Sequence, residues 1–149
     1  ATFITVHGND PILKAAVSER NGAKILAVTV LTSFDESDMR EMGFTGTVED
    51  LVYLRAKKAL ALGCDGVISS GLEAPRLRHD LGDKFLIVTP GIRPGTNDVI
   101  QDDDQKRIAT ANKAIKNGAD YVVVGRPIRN AKDPLAIVKG MQEEIARAL

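Results

Sequence analysis

Two arginines recur in the same kind of place. Arg93 lies in Val88-Thr-Pro-Gly-Ile-Arg-Pro94 and Arg126 in Gly118-Ala-Asp-Tyr-Val-Val-Val-Gly-Arg-Pro-Ile128, each after a short apolar run and a glycine. A guanidinium is planar and permanently charged, and its paired N–H groups match two oxygens of a phosphate. Gly125 has no side chain, so an anion can reach the backbone, whose N–H groups add dipoles of the right sign. The chemistry this pattern can do is to hold a phosphate ester. Each arginine alone is equally compatible with a turn or with a carboxylate partner at the surface, and it is the pair that favours a site.

Gln105, where the next helix should begin, could donate an amide hydrogen bond to the same anion. The stretch from Pro94 to Gln105 is long for a connection and reads as a lid, although its acidic run, Asp102 to Asp104, also reads as simply solvated. Thr32 and Ser33 follow an earlier apolar run and could hydrogen-bond a polar ring or close a turn. His7 ends the first run and is open between a site contact and none, whereas His79, in Arg76-Leu-Arg-His-Asp80, reads as part of a solvated helix face. Cys64 has no base or cationic cluster beside it and reads as a small core residue. No lysine flanked by carboxylates ends a strand, and no histidine, cysteine or carboxylate cluster has metal-ligand spacing. No metal or cofactor is implied.

The elements that must position these residues are short apolar runs rich in β-branched residues: Phe3 to Val6, Ile25 to Val30, Gly66 to Ser69, Phe85 to Thr89 and Tyr121 to Val124. They barely alternate, as strands buried on both faces do. Between them lie segments with helical spacing, the clearest from an N-cap at Thr47 to a stop at Gly63. Asp10-Pro11 and Asp133-Pro134 read as cap-then-proline helix starts, and Gly118 ends the helix holding Ala114 and Ile115. Strand and helix thus alternate five times. That alternation specifies an α/β fold with right-handed crossovers, either an open doubly wound sheet or a closed barrel. No Gly-x-Gly-x-x-Gly follows the first strand, which weighs against a dinucleotide fold.

The chain has 149 residues, with 20 basic and 20 acidic side chains in balance. Such a length is ample for one domain spanning 1–149 but short for an eight-fold barrel of about 250 residues. A neutral chain has no field to draw it to nucleic acid or an anionic membrane, so a small-molecule partner is expected. A single cysteine and no long apolar stretch or leader point to the cytoplasm. The first strand starts almost at Ala1, which fits either a normal start or the cut edge of something longer.

Taken together, Ile25-Leu-Ala-Val-Thr-Val-Leu-Thr-Ser33, Cys64-Asp-Gly-Val67, Val88-Thr-Pro-Gly-Ile-Arg-Pro94, Asp104-Gln-Lys-Arg-Ile108 and Ala119-Asp-Tyr-Val-Val-Val-Gly-Arg-Pro-Ile128 resemble the bacterial orotidine 5'-phosphate decarboxylases. The resemblance runs in order along essentially the whole chain, and Thr-Pro-Gly-Ile-Arg-Pro with Asp-Gln-x-Arg is its most specific part. It implies a (β/α)8 TIM barrel, here incomplete with about five strand-helix units from the fourth strand onward. It also implies conversion of orotidine 5'-phosphate to uridine 5'-phosphate and CO2 without cofactor, usually in a homodimer. By the same resemblance Arg93, Gln105, Gly125 and Arg126 bind the 5'-phosphate, Thr32 hydrogen-bonds the pyrimidine, and the segment from Pro94 to Asp104 is the lid. The family's Asp-x-Lys-x-x-Asp signature, on its third strand, is absent from these 149 residues, so no catalytic residue is assigned and this chain alone is expected to decarboxylate poorly or not at all. His7-Gly-Asn-Asp10 departs from the family's usual His-Ala-Ser-Gly-Gly, and no role passes to Asn9 or Asp10. Two other readings stand beside this one: a phosphate-binding half-barrel that needs a partner, and a sugar-phosphate decarboxylase or synthase of the same superfamily.

Overall fold

In the computed structural model, which describes residues 1–95, 104 and 106–149, five strands pair in the order β1-β2-β3-β4-β5, all parallel. They are β1 (Phe3–His7), β2 (Lys24–Val28), β3 (Gly66–Ile68), β4 (Leu86–Thr89) and β5 (Tyr121–Val122). Helices α1 (Asp10–Ser18), α2 (Glu36–Glu41), α3 (Val48–Ala61), α4 (Ala74–Leu81), α5 (Ala111–Lys116), α6 (Arg126–Arg129) and α7 (Pro134–Ala146) fill the connections.

The strand order settles what composition left open. Right-handed crossovers that always step the same way put every helix on one face, whereas a doubly wound sheet must reverse its order. Packing agrees: Ile25, Ala27, Val67 and Ile87, which share one face by register, join Leu13, Val52, Ala59 and Leu77 from the helices in the core. The opposite face carries Phe3, Leu26, Val28, Ile68, Val88 and Tyr121. Four strand spacings of about 4.8 Å would hold the edges of a flat sheet about 19 Å apart. The Phe3 and Tyr121 rings, on the two edge strands, instead lie 5.3 Å apart, centroid to centroid. The sheet is therefore rolled toward its helix-free face, as the wall of a barrel is.

The helix ends follow the sequence signals with two exceptions, the first being that the helix expected near Gln105 begins only at Ala111, capped by Thr110. Thr47 Oγ1 accepts from the Asp50 N–H at 3.0 Å and Asp133 Oδ1 from the Ala136 N–H at 3.0 Å. Asp10, by contrast, is the first helical residue of α1; Asn9 stands at the cap and makes no side-chain capping bond, since proline follows one place later than the cap reading assumed. β2 to β5 are shorter than their apolar runs, whereas β1 extends one residue past its own to His7; β5 ends at Val122, although the Val123 N–H still donates to the Thr89 carbonyl at 2.8 Å.

One device appears twice at the amino-terminal edge of the sheet. Gly63-Cys-Asp65 and Gly118-Ala-Asp120 each end a helix on a glycine with positive φ, bury a small residue, and then present an aspartate. Asp65 accepts the Ile25 N–H at 2.8 Å and pairs with Arg20 at 3.0 Å. Asp120 accepts the Ile87 N–H at 2.7 Å and pairs with Arg78 at 2.5 Å. Each carboxylate locks the start of one strand to its neighbour, and ion-paired carboxylates at this edge of a barrel serve stability. Cys64, inside the first copy, is buried, and burial pushes its thiol pKa up, so it is the inert core residue expected.

Candidate functional site

The opposite, carboxyl-terminal edge holds the candidate site, and it starts from a row of hydroxyls. Continuing the register beyond Val28, Ile68 and Val88 places Thr29, Ser69 and Thr89 side by side, all fully buried. Thr29 Oγ1 donates to the Ile68 carbonyl at 2.9 Å and the Ser69 N–H to the Val88 carbonyl at 3.2 Å. Thr89 Oγ1 has no hydrogen-bond partner among the described residues.

Above this row, residues 106 and 107 draw the strand tips together. The Arg107 guanidinium donates to Glu73 Oε1 at 2.5 Å, to the Leu31 carbonyl at 2.8 Å and to the Val30 carbonyl at 3.2 Å. The backbone N–H groups of Lys106 and Arg107 both donate to the Thr32 carbonyl, at 3.1 and 3.2 Å. Three successive carbonyls at the tip of β2 are thus bound by two residues of a distant segment. Lys106 Nζ also bridges Asp35 and Asp38 at 2.9 and 3.0 Å. Its hydrogen bond holds the Asp35 carboxyl down at about 2, helped by the backbone N–H groups of Asp38 and Ser37.

Thr32 itself is buried at this junction. Arg93, half-buried after β4, donates its N–H to the Ala109 carbonyl at 2.9 Å and turns its guanidinium back to the Ile92 carbonyl at 2.9 Å. Gly125 caps α6, and a Cβ built there would meet nothing within 4 Å, so the backbone at this point faces open space. Arg126 opens α6 and donates to Asp104 Oδ1 at 2.6 Å, with the Asp104 side chain two-thirds exposed. Residues 104 and 106–109 therefore touch both Arg126 at one end and Thr32 at the other. Gln105 and the segment expected as a lid, apart from Pro94, Gly95 and Asp104, lie outside the described residues.

His7 lines a cavity of about 280 Å³ with Val28, Leu31, Phe34, Phe44 and Arg55, at the tips of β1 and β2. His79 is exposed and bonded to Asp80, as a solvated helix face requires. Among the described residues no group of histidine, cysteine and carboxylate side chains is placed to hold a metal. No helix among them is long and apolar enough to cross a membrane. Glu73 and the hydroxyl row were not singled out by the sequence reading, and Arg107 entered it only as the last residue of Asp-Gln-x-Arg, with no role assigned. The signal was present: Thr29, Ser69 and Thr89 each end an apolar run with a hydroxyl, which strands at one register level would bring together.

A sheet wound in one direction with helices on one face, and guanidinium groups after two adjacent strand tips, defines the class: the wall of a parallel β/α barrel. Its family model match extends over residues 1–141, and the chain belongs to the orotidine 5'-phosphate decarboxylase / HUMPS family. It is 53% identical over 143 residues to orotidine 5'-phosphate decarboxylase of Methylococcus capsulatus, covering 96% of this chain and 58% of that protein. It is 51% identical over 149 residues to the Nitrobacter winogradskyi protein of the same name, covering 99% of this chain and 61% of that one. The crystal structure of orotidine 5'-phosphate decarboxylase from Lactobacillus acidophilus superposes with a TM-score of 0.78 at 36% identity, over 97% of this chain and 63% of the other. The Sulfolobus solfataricus orotidine 5'-monophosphate decarboxylase, at 19% identity and a TM-score of 0.64, shares the fold. The chain spans about three-fifths of the length of these relatives, so its barrel is incomplete.

Proposed function

We propose that this chain carries the phosphate-binding part, and part of the pyrimidine site, of an orotidine 5'-phosphate decarboxylase, which converts orotidine 5'-phosphate to uridine 5'-phosphate and CO2 in pyrimidine biosynthesis. The observation that carries this reading is the placing of Arg93 and Arg126 after adjacent strands β4 and β5, at the edge where such barrels keep their sites. Arg93, Gln105, Arg126 and the backbone at Gly125 hold the 5'-phosphate, and Thr32 hydrogen-bonds the ring. The carboxylate of Asp104 engages part of the Arg126 guanidinium, and the phosphate takes its place. Phosphate contacts remote from the reacting carbon assist the reaction when they strengthen toward the transition state. The arginines need no acid or base chemistry of their own for this.

The Asp-x-Lys-x-x-Asp signature is absent from the sequence, so this chain alone binds nucleotide and turns over little or no substrate. In the complete enzyme the setting is a cytoplasmic homodimer. The test compares thermal protection of the chain by uridine 5'-phosphate and by ribulose 5-phosphate. Stronger protection by the nucleotide supports the reading, whereas stronger protection by the sugar phosphate moves the assignment to a sugar-phosphate enzyme of the same superfamily.

A further inference from the structure

Glu73 and Arg107 form an ion pair at 2.5 Å whose side chains are 6% and 9% exposed. Burying two charges is costly unless further hydrogen bonds engage them, and a pair of apolar residues would often be as stable. Stability alone therefore does not account for this pair, and its remaining contacts point elsewhere. Arg107 Nη2 donates to the carbonyls of Val30 and Leu31 and the backbone N–H to that of Thr32, while Nε has no hydrogen-bond partner among the described residues. Glu73 stands at the start of the eight-residue α4, where a carboxylate suits the helix dipole, and its second oxygen faces Ser69 Oγ at 3.4 Å. The pair thus ties the β3 tip, through Glu73 and Ser69, to the β2 tip at its last three residues before Ser33.

We infer that Glu73 and Arg107 are positioning residues for the ring-binding side of the site: they fix the backbone of Val30 to Thr32, and through it the Thr32 side chain, without touching ligand. The inference rests on the proposed placing of a pyrimidine at Thr32. A guanidinium is suited to the task because its donors lie in one rigid plane, so three fixed acceptors, one carboxylate oxygen and two carbonyls, determine its position. Lysine, a compact point charge on a flexible stem, would satisfy the charge of Glu73 without aligning both carbonyls.

The experiment measures binding of uridine 5'-phosphate and of ribose 5-phosphate, which lacks the base, to the 149-residue chain and its Glu73→Gln, Arg107→Lys and Thr32→Val variants. Expected is a loss of about tenfold in nucleotide affinity in each variant, with ribose 5-phosphate affinity unchanged, as for one hydrogen bond to a fixed group. Combining Thr32→Val with Arg107→Lys should add little further loss, since both act on one contact. Where a single variant strands a buried charge and unfolds, the paired Glu73→Leu/Arg107→Met variant removes both charges together and should show the same base-selective loss. Equal losses for both ligands, or no loss for the nucleotide, overturn the inference. A wild-type chain that binds the two ligands equally overturns the pyrimidine reading on which it rests. Amide hydrogen exchange separates the two failures without any ligand. The Lys106 and Arg107 amides should exchange at least about tenfold faster in Arg107→Lys while the Val52 and Leu77 amides stay protected. Unchanged exchange at 106 and 107 overturns the positioning role itself.

Discussion

Two carboxylate–guanidinium pairs sit at the same edge of this sheet, at nearly the same distance, and they do opposite things. Glu73–Arg107 is 2.5 Å long and almost wholly buried, with its guanidinium committed to two further carbonyls. Asp104–Arg126 is 2.6 Å long, with a two-thirds exposed carboxylate and an arginine, one-quarter exposed, that opens the four-residue α6. The chemical groups are the same, so burial makes the difference. A buried pair cannot exchange partners without stranding a charge, which makes it a fixed point of the frame. An exposed pair is screened by water and contributes about 0–1 kcal/mol, so an incoming phosphate can take the place of the carboxylate at small cost. Under the proposed reading, the ring side of the site is built in advance and the phosphate side is kept exchangeable.

The contrast is broken most decisively at the buried pair. Glu73→Ala or Arg107→Met alone should cost about 3–5 kcal/mol in chemical denaturation, and the double apolar replacement should recover most of it. If either single change leaves stability intact, the pair is not a fixed point. At the exposed pair, Arg126→Ala should change stability by no more than about 0.5 kcal/mol, as surface substitutions do. Asp104→Asn should leave stability equally untouched and raise the affinity for uridine 5'-phosphate by up to about fivefold, the value of an exposed ion pair; a fall in affinity would mean that Asp104 assists the anion rather than yielding to it. The smallest effect concerns Lys106, which clips Asp35 and Asp38 beside the buried pair. Asp35 titrates at about 2 in the folded chain against an ordinary 3.8. A depressed folded value means that its contribution is complete above pH near 3.8 and is lost as pH falls toward about 2. An NMR titration of the Asp35 carboxyl should show a midpoint far below the ordinary value, and Lys106→Met should return it upward.

The fold was largely legible in the sequence because parallel strands buried on both faces declare themselves as β-branched runs, and because Thr47, Asp133, Gly63 and Gly118 mark helix ends by local chemistry alone. The choice between open sheet and barrel was not legible from those runs, since it depends on which strands pair, and that is a long-range property. Arg93 and Arg126 stood out because each follows a glycine at the end of an apolar run. Arg107 closes the Asp-Gln-x-Arg motif but received no role, because a charged residue in a polar stretch reads as solvated until the chain folds it under the tip of β2. Burial of a charge is decided by partners 34 to 77 residues away, here Glu73, Leu31 and Val30, and local sequence carries no record of them. The hydroxyl row of Thr29, Ser69 and Thr89 lies between these extremes: its members repeat visibly, but only the register aligns them.

The central claim is that the tips of β4 and β5 hold a nucleotide by its phosphate through Arg93 and Arg126. Calorimetric titration of the chain with uridine 5'-phosphate and with uridine tests it most directly. The expected result is nucleotide binding at least about tenfold tighter than nucleoside binding, with that difference largely erased in Arg126→Ala, as loss of a charge-assisted hydrogen bond requires. Equal binding of the two ligands, or a difference that survives Arg126→Ala unchanged, would contradict it.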